Sequence, residues 1–406
     1  MPGPLVPPET PVAPAGRPLA GVRVVELAHV AAGPFAGMLL ADLGADVVKV
    51  EPPTGDQMRA WPPFARDDEG ASFSHNFASV NRNKRSVVAD LKDPARLAAV
   101  RELVAGADVV VENYRPGVLD RLGLGYDEVS AGHRGLVYAS ISGYGLTSPY
   151  VNDGAYDVVV QGMAGLMSVT GEPDRGPVKS GVPVGDFTAG LYAAYTIAAV
   201  LPQVRDSGTS VRLDVPMLDC LIGVSALQTS EYWGSGREPA RLGTAHPRNA
   251  PYQGFAAADG DLTIAAGNDR LWAAVADVVG LPHLVEDPRF LTQADRVAHQ
   301  GELAALLGEQ LATEKRDHWL SELRLRGVPC GPVNTFGEVL ADPHVEATGL
   351  VARLEVPVAG EVPTVVYPVR ISGQTARLDR GAPALGGNPE VHDEWLAPWI
   401  DEQVAP

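Results

Sequence analysis

The stretch VRVVELAHVAAGPFAGMLLADLGADVVKVE, residues 22–51, decides the fold class. It begins with a β-branched run at 22–28, continues with an apolar helical segment at 35–44 that ends on glycine, and closes with a second β-branched run at 45–51. Buried parallel strands read as near-continuous apolar runs, and a glycine often follows the last turn of a helix. The stretch therefore predicts a strand–helix–strand unit.

The same alternation continues along the chain. Further strand-like runs lie at 85–91, 107–113 and 135–142, and a helical segment at 95–105 separates the first two. Such alternation is typical of a doubly wound parallel sheet with helices on both faces. We therefore predict an α/β fold, a Rossmann-like doubly wound parallel sheet with a second, smaller α+β domain.

Composition changes divide the 406 residues into four segments. Residues 1–18 are proline-rich and predict a disordered tail, because they have almost nothing to bury. Residues 19–226 carry the strand–helix alternation and predict a large domain. Residues 227–326 predict a small domain with a glycine-containing loop at 234–249, and 327–406 contain short strands that we expect to pack back on the large domain.

Charge and cysteine content narrow the function classes. A formal net charge of −18 provides no broad basic surface for nucleic acid or anionic lipid, so an anionic ligand needs a few local cations. The two cysteines, Cys220 and Cys330, lie far apart in sequence, which argues against a disulfide framework. Because no signal-peptide or membrane-span pattern is found either, we predict a cytoplasmic protein that binds neither nucleic acid nor membranes.

The common cofactor and catalytic motifs do not occur. The turn after the first strand, HVAAGP at 29–34, is not the G-x-G-x-x-G of dinucleotide-binding proteins, and no G-x-x-x-x-G-K is present. Serine-hydrolase, zinc-protease and C-x-x-C motifs are also missing, and the nine histidines are scattered. The sequence therefore predicts neither a metal site nor a permanently bound cofactor.

Six segments in a fixed order resemble the class III coenzyme A transferases, the family of formyl-CoA and carnitine CoA transferases. The resemblance covers nearly everything after residue 18. It implies an enzyme that moves CoA between an acyl-CoA and a free carboxylic acid, and an interlocked homodimer. The segments are 19–59, 81–94 (NRNKRSVVADLKDP), 107–129 (ADVVVENYRPGVLDRLGLGYDEV), 156–195, 246–260 (HPRNAPYQGFAAADG) and 327–343 (GVPCGPVNTFGEVLADP).

Asp186 in PVGDFTAGLYAA matches the family's nucleophile. The resemblance implies that it forms a mixed anhydride with the acyl group and then an aspartyl-CoA thioester. Judged by the residues alone, Asp186 is more simply a helix N-cap. The two roles are compatible, because the positive end of a helix dipole favours an ionised carboxylate.

Candidate CoA-binding residues also follow from the resemblance. Asn83, Lys84, Asn113 and Arg121 match positions that contact CoA in the family, and Arg115 is added because it lies near them in sequence. Taken singly, a lysine or arginine in such a place is more often a solvated surface charge. The full candidate set is His29, Asn83, Lys84, Asn113, Arg115, Arg121 and Tyr156.

Two positions bear on the acyl group. Ala31 replaces a glutamine of formyl-CoA transferase, and Pro52 replaces an arginine. The loss of these polar groups argues against oxalate and formate and favours a larger or less charged acyl group.

The glycine-containing loop at 234–249 carries His246 near its end. In the family, the matching loop covers the site, and excluding water protects a mixed anhydride from hydrolysis. The residues themselves fit an ordinary connecting loop equally well.

The nearest alternative is an α-methylacyl-CoA racemase of the same fold. Racemisation needs acid–base groups on both faces of the α-carbon. The racemase histidine and glutamate correspond here to Tyr156, which precedes Asp157, and to Asn268, which precedes Asp269; neither Tyr156 nor Asn268 is a ready base at neutral pH. A non-catalytic CoA-binding protein would need no nucleophile, and a dehydrogenase would need the missing phosphate-binding motif.

Overall fold

A computed structural model describes residues 16–66, 70–372, 378–391 and 394–395. Residues 1–15 of the predicted disordered tail lie outside this range. The strands are β1 (Arg23–Leu27), β2 (Asp46–Glu51), β3 (Phe64–Arg66), β4 (Ser72–Ser74), β5 (Lys84–Val88), β6 (Val109–Glu112), β7 (Val137–Ser142), β8 (Val211–Pro216), β9 (Tyr252–Ala257), β10 (Gly260–Ala265), β11 (Cys330–Pro332), β12 (Val351–Val356) and β13 (Gly360–Val365). The α-helices are α1 (Ala32–Asp42), α2 (His75–Asn81), α3 (Pro94–Ala105), α4 (Val118–Arg121), α5 (Tyr126–Ser130), α6 (Asp157–Met163), α7 (Val184–Ser207), α8 (Met217–Val224), α9 (Ala226–Ser235), α10 (Asp269–Val278), α11 (Gln293–Ala298), α12 (Gln300–Leu311), α13 (Arg316–Leu325), α14 (Phe336–Leu340) and α15 (Pro343–Thr348).

Six parallel strands form the main sheet in the order β5-β2-β1-β6-β7-β8. At its centre, Val25 of β1 pairs with Val48 on one side and Val110 on the other, and all three are fully buried. The valine-rich runs form these central strands because both of their faces are covered. This arrangement confirms the predicted parallel α/β sheet.

Helices cover both faces of the sheet. Val100 and Leu103 of α3 share one core with Val25 and Val48. Alternate strand residues such as Val24 point to the opposite face, where α1 and α7 pack. Gly44, which follows α1, adopts φ +110. Residues with a side chain rarely adopt this backbone conformation, which explains why a glycine ends the helix.

The strand order reverses between β1 and β6, which are neighbours in the sheet although far apart in sequence. In open α/β sheets, ligands bind in the crevice outside the carboxyl ends of the strands at such a switch point. His29 follows β1 and Asn113 follows β6, so both lie at this edge.

Helix α7 is long and apolar enough to span a membrane by length and composition. Ala189, Ala193 and Ile197 are buried within the fold, and the helix packs against α1 and β7. One side of α7 is therefore part of a protein core.

The chain divides into two compact units. Unit 1 comprises the described residues of Met1–Gly165, Ser180–Thr229 and Glu346–Pro406, and unit 2 comprises Leu166–Lys179 and Ser230–Val345. The domain boundaries predicted at 227 and 326 differ from these bounds. Unit 2 includes a segment from before α7, and it extends past residue 326 because β11 pairs with β10 in its antiparallel sheet β11-β10-β9.

Each unit has its own core. In unit 2, the buried side chains of Trp272, Leu307 and Leu320 pack beside the small sheet. In unit 1, the β12–β13 hairpin contributes Val356 and Val362 to a cluster that also contains residues from the segment around α2.

Candidate active site

A cavity of about 310 Å³ opens at the carboxyl ends of β1, β6 and β7 in unit 1. It lies at the switch point of the sheet, where the fold favours ligand binding. Five of the predicted residues meet there, namely His29, Asn113, Arg115, Tyr156 and Asp186. Ala31, Ala32, Ser142, Tyr144, Asp153 and Met217 are among the other lining residues.

Asp186 is the third residue of α7, not its N-cap, so that part of the prediction is wrong. The helix begins at Val184 after Pro183, which places Asp186 within the first turn. Asp157 of α6 instead accepts a hydrogen bond from the backbone N–H of Gly185 at 2.8 Å. A carboxylate from a neighbouring helix therefore satisfies one of the free amide groups of this helix end.

The pKa of Asp186 lies above its usual range, at about 6. Burial raises this pKa most, and the negative charge of Asp157 raises it further. The helix terminus was expected to favour the ionised form, but desolvation and a like charge outweigh that effect. Asp186 is still mostly ionised at neutral pH, and a raised pKa makes its carboxylate more basic than an exposed one.

His29 and Asn113 are joined through the His29 backbone. The N–H of His29 donates to Asn113 Oδ1 at 3.0 Å, and Asn113 Nδ2 donates to the His29 carbonyl at 2.8 Å. The imidazole meets the ring of Tyr114 edge-on at 5.5 Å, and burial lowers the pKa of His29. These contacts fix the imidazole at the cavity wall, and its burial favours the neutral form.

The residues of the following turn also line the cavity. Val30 adopts φ +64, and α1 begins two residues later. Ala31 and Ala32 line the cavity, and among the described residues no side chain caps this helix end. The first amide groups of an α-helix have no partner inside the helix, so this terminus can donate hydrogen bonds to a ligand.

The model of the family described as CoA-transferase family III matches residues 19–389. This chain belongs to CoA-transferase family III. A succinate–glutarate CoA-transferase from Agrobacterium fabrum is 44% identical over 373 residues, covering 91% of this chain and 93% of that protein. An acetyl-CoA:oxalate CoA-transferase from Acetobacter aceti is 38% identical, covering 93% and 95%. The crystal structure of a CAIB/BAIF family protein from Brucella suis superposes with a TM-score of 0.85 at 42% identity, covering 94% of this chain and all of that one.

Membership in the family and these relatives show that the chain is an acyl-CoA:carboxylate CoA-transferase of class III. It transfers CoA between an acyl-CoA and a free carboxylic acid. Its substrates are therefore CoA thioesters and carboxylates, and the predicted recognition and activity are confirmed.

Two of the predicted CoA ligands of this family III transferase lie away from the cavity. Lys84 is fully buried, and its Nζ donates to the Pro34 carbonyl at 2.7 Å and lies 2.8 Å from Glu26 Oε2. Asn83 is 2% exposed and donates to Asp42 at 2.8 Å. Burial and these partners do not fit the prediction that the two side chains contact CoA.

Arg121 lies in a second depression of about 340 Å³, which it lines together with Lys92. Tyr114 and Val118 line both this depression and the main cavity, so the two are adjacent. Lys92 was not predicted, although it stands in the matched segment 81–94. A basic residue in a polar loop gives no sequence signal that separates it from other surface lysines.

Three acidic residues at or near the site were also missed. The only sequence signal for Asp157 is its position next to Tyr156. Asp56 lies in the loop after β2, where no motif marks it. Glu112, at the end of β6, accepts a hydrogen bond from the Tyr114 N–H at 2.9 Å, and burial raises its pKa to about 7. All three act through backbone contacts that only the folded chain reveals.

Asn268, which the family resemblance matches to the racemase glutamate, and its neighbour Asp269 belong to unit 2. Asn268 caps α10, where its Oδ1 accepts from the Leu271 N–H at 3.0 Å. Asp269 forms an ion pair with Arg296 at 2.7 Å. In the loop before β9, His246 Nδ1 accepts from the Arg248 N–H at 3.1 Å. Each of these side chains has a local structural partner.

Within the described part of the chain, no group of three or more His, Cys, Asp or Glu side chains is arranged to hold a metal ion. The two cysteines are free thiols: Cys220 is buried and Cys330 is partly buried. Burial raises the pKa of both thiols, which favours their unreactive protonated form.

Proposed function

We propose that this transferase moves CoA between dicarboxylic acids with Asp186 as its covalent nucleophile. The observation that supports the proposal is the position of Asp186 in a cavity at the switch point of the sheet, which residues at the start of α1 also line. A carboxylate is a suitable nucleophile for exchanging one thioester for another, because the anhydride and then the aspartyl-CoA thioester conserve the activation energy of the original thioester.

The first half-reaction forms two covalent intermediates. The Asp186 carboxylate attacks the acyl-CoA carbonyl carbon, the carbon–sulfur bond breaks, and a mixed anhydride and CoA thiolate result. The thiolate then attacks the aspartyl carbonyl carbon, which releases the first acid as its carboxylate and leaves an aspartyl-CoA thioester. No proton and no redox partner is consumed, so the reaction requires no resident cofactor.

The second half-reaction reverses these steps with the acceptor acid. Its carboxylate attacks the aspartyl-CoA carbonyl carbon and displaces CoA thiolate, which forms a new mixed anhydride. The thiolate attacks the acceptor's carbonyl carbon, giving the product acyl-CoA and free Asp186. Each attack places negative charge on a carbonyl oxygen, and the amide groups of Ala31 and Ala32 are suitable donors to that oxygen.

CoA is proposed to lie along the carboxyl ends of the strands. Arg115 lines the main cavity, and Arg121 and Lys92 line the adjacent depression. Two acidic residues, Glu51 and Asp90, also line that depression. Glu51 is paired with Arg59 at 2.6 Å, and Asp90 accepts the Lys92 backbone N–H at 3.0 Å, so Arg121 and Lys92 are the cations proposed to attract phosphate groups there. In a chain of net charge −18, such local cations are where an anionic ligand gains affinity.

The proposed substrate class is supported by the names of the relatives and by the cavity wall. The relatives described above carry the names of succinate, glutarate and oxalate, which are dicarboxylic acids. Ala31 lines the cavity and Pro52 lines the adjacent depression, and neither residue offers a polar side chain. We expect acids of succinate or glutarate length to be accepted over oxalate, whose two adjacent carboxylates need more polar partners.

Association with a second copy is part of the proposal. Several large apolar side chains of unit 1 are exposed on α6, α7 and α8, including Val158, Leu191, Tyr195 and Val224. Exposed apolar patches of this kind usually mark an interaction surface. A homodimer, as the family resemblance implies, would cover them, and the free thiols suit a cytoplasmic location.

The test is an exchange assay with purified protein. Succinyl-CoA is incubated with glutarate, oxalate or acetate, and the CoA esters are separated by chromatography. We expect glutaryl-CoA to form fastest, and we expect Asp186→Ala to abolish its formation while CoA still binds. Equal rates with all three acids would refute the substrate class, and activity retained by Asp186→Ala would refute the nucleophile.

A further inference from the structure

The turn from Ala28 to Pro34 forms one wall of the cavity, and charged side chains from other strands and loops hold its backbone. Lys49 Nζ donates to the Ala28 carbonyl at 2.6 Å. The Val30 N–H lies 3.2 Å from both carboxylate oxygens of Asp56. Lys84 Nζ donates to the Pro34 carbonyl at 2.7 Å. Both ends and the middle of the turn are therefore tethered.

The three tethering side chains belong to one buried network that is completed by Glu26. Lys49 Nζ lies 2.9 Å from both Glu26 Oε1 and Asp56 Oδ2, and Lys84 Nζ lies 2.8 Å from Glu26 Oε2. All four side chains are fully excluded from solvent. The two lysines balance the charge of the two carboxylates. Glu26 and Lys49 are paired in register on the adjacent strands β1 and β2, so the sheet fixes the distance between them.

Stability alone does not account for such a network. Desolvating four charges is costly, and well-packed apolar side chains of similar volume often stabilise a core as well or better. The turn, however, contains a strained residue, because Val30 is β-branched and adopts φ +64. Strained backbone of this kind persists where surrounding contacts fix it, and it concentrates at functional sites.

We propose that the network of Glu26, Lys49, Asp56 and Lys84 is a positioning device that holds the Ala28–Pro34 turn in the conformation that presents its amide groups beside Asp186. In this role Lys84 acts through the Pro34 carbonyl and does not bind CoA. The inference rests on the proposed function, because the turn matters for the reaction only if Asp186 is the nucleophile.

A positioning role and a CoA-binding role predict different kinetics. If the turn loosens, CoA should bind nearly as before, whereas the covalent steps should slow because the amide donors no longer match the developing charge. A small displacement of catalytic groups can lower a rate by about 10- to 100-fold. If Lys84 contacted CoA directly, its loss would instead raise the Kd for CoA.

The experiment compares Asp56→Ala, Asp56→Asn and Lys84→Met with a matched control, Asp42→Asn. Asp42 forms a similarly buried ion pair with Arg82 in unit 1, but it makes none of the contacts to the turn. We measure kcat, the Kd for CoA and the melting temperature of each variant. Hydrogen exchange at the Val30 amide, by mass spectrometry with residue-level fragmentation, reports on the turn independently of catalysis.

We expect Asp56→Ala and Lys84→Met to lower kcat by about tenfold or more, with the Kd for CoA changed less than about twofold. Asp56→Asn should recover part of kcat and part of the protection of the Val30 amide against hydrogen exchange, because the asparagine side-chain oxygen still accepts the Val30 N–H. Asp42→Asn should lose stability but keep kcat and the Val30 protection.

Two results would overturn the proposal. One is unchanged kcat and unchanged Val30 exchange in Asp56→Ala, and the other is a large rise in the Kd for CoA in Lys84→Met. If Asp56→Ala does not fold, the comparison at this position rests on Asp56→Asn, which preserves the shape of the side chain and one acceptor oxygen. Failure of the proposed function looks different, because transfer would then survive in Asp186→Ala whatever the network variants do.

Discussion

Asp157 Oδ1 accepts the backbone N–H of Gly185 at 2.8 Å, one residue before the candidate nucleophile Asp186. The contact places a second carboxylate at the same helix end, where its charge adds to burial in raising the pKa of Asp186. Gln161 Nε2 holds the other oxygen of Asp157 at 2.7 Å, so this carboxylate is fixed in place. The pair therefore sets the pH range in which Asp186 is a nucleophile.

The acid limb of the pH profile should report this pair. Asp186 must be ionised to attack, so kcat/KM should be constant above a pKa of about 6 and fall as pH drops through it. Asp157→Asn removes the like charge but keeps an oxygen for the Gly185 N–H. We expect the acid limb of this variant to move to lower pH, and Asp127→Asn, a surface control in α5, to leave it unchanged. An acid limb that Asp157→Asn does not move would contradict the assignment.

As pH rises through the pKa of Asp186, activity should increase, whereas the free energy of unfolding should decrease. Because the pKa of Asp186 is raised in the fold, its ionised form destabilises the native state above about pH 6, and this penalty is absent below the pKa of the unfolded chain. Asp186→Asn should therefore increase the free energy of unfolding by about 1–2 kcal/mol at pH 8, after allowance for partial solvent screening. The gain should vanish near pH 4. Urea denaturation at the two pH values tests this, and an equal gain at both would show that ionisation is not its cause.

The parallel sheet could be predicted from the strand and helix pattern, and the residues of the candidate site from the family resemblance. Valine-rich runs separated by helical segments define the strands, and residues that follow β1 and β6 meet because these strands are neighbours. His29 and Asn113 come together for this reason. The pattern predicts that the strands are parallel, whereas the structure supplies the strand order that makes β1 and β6 neighbours.

The buried charges could not be predicted in the same way. Glu26 and Lys49 are single charged residues in apolar strands, and only the register of β1 against β2 shows that they face each other. Lys84 stands in the basic segment NRNKRS, which resembles a solvated surface and matches CoA-contacting positions of the family. The structure places it in the core, because β5 pairs beside β2 and carries the side chain inward. Whether such a charged residue is buried depends on the pairing of strands that are far apart in sequence.

Hydrogen exchange at the substrate α-carbon separates transfer from racemisation. By the family resemblance, Tyr156 and Asn268 stand where a racemase has its acid–base pair, and Asn268 is the N-cap of α10. With a 2-methylacyl-CoA donor and an acceptor acid in deuterated buffer, we expect CoA transfer without deuterium at the α-carbon of recovered thioester. Mass spectrometry of the product measures this. Deuterium incorporation at the rate of turnover, without transfer, would instead support a racemase.

Oligomeric state tests the exposed apolar surface of α7. Leu191 and Tyr195, one helical turn apart, are 53% and 72% exposed. A charge in a buried apolar interface is strongly unfavourable, so Leu191→Glu should convert a dimer to monomers in sedimentation velocity. Leu325→Glu is the matched control, because Leu325 is 76% exposed at the end of α13 in unit 2. A wild-type protein that sediments as a monomer would remove the basis for this prediction.

The central claim is that CoA becomes covalently attached to Asp186. The protein is incubated with succinyl-CoA and no acceptor acid, quenched, and treated with borohydride or hydroxylamine before peptide mass analysis. We predict that the modified peptide contains Asp186, that the modification requires the donor, and that Asp186→Asn shows none. Modification of a different residue, or an active donor that leaves every peptide unmodified, would contradict the account.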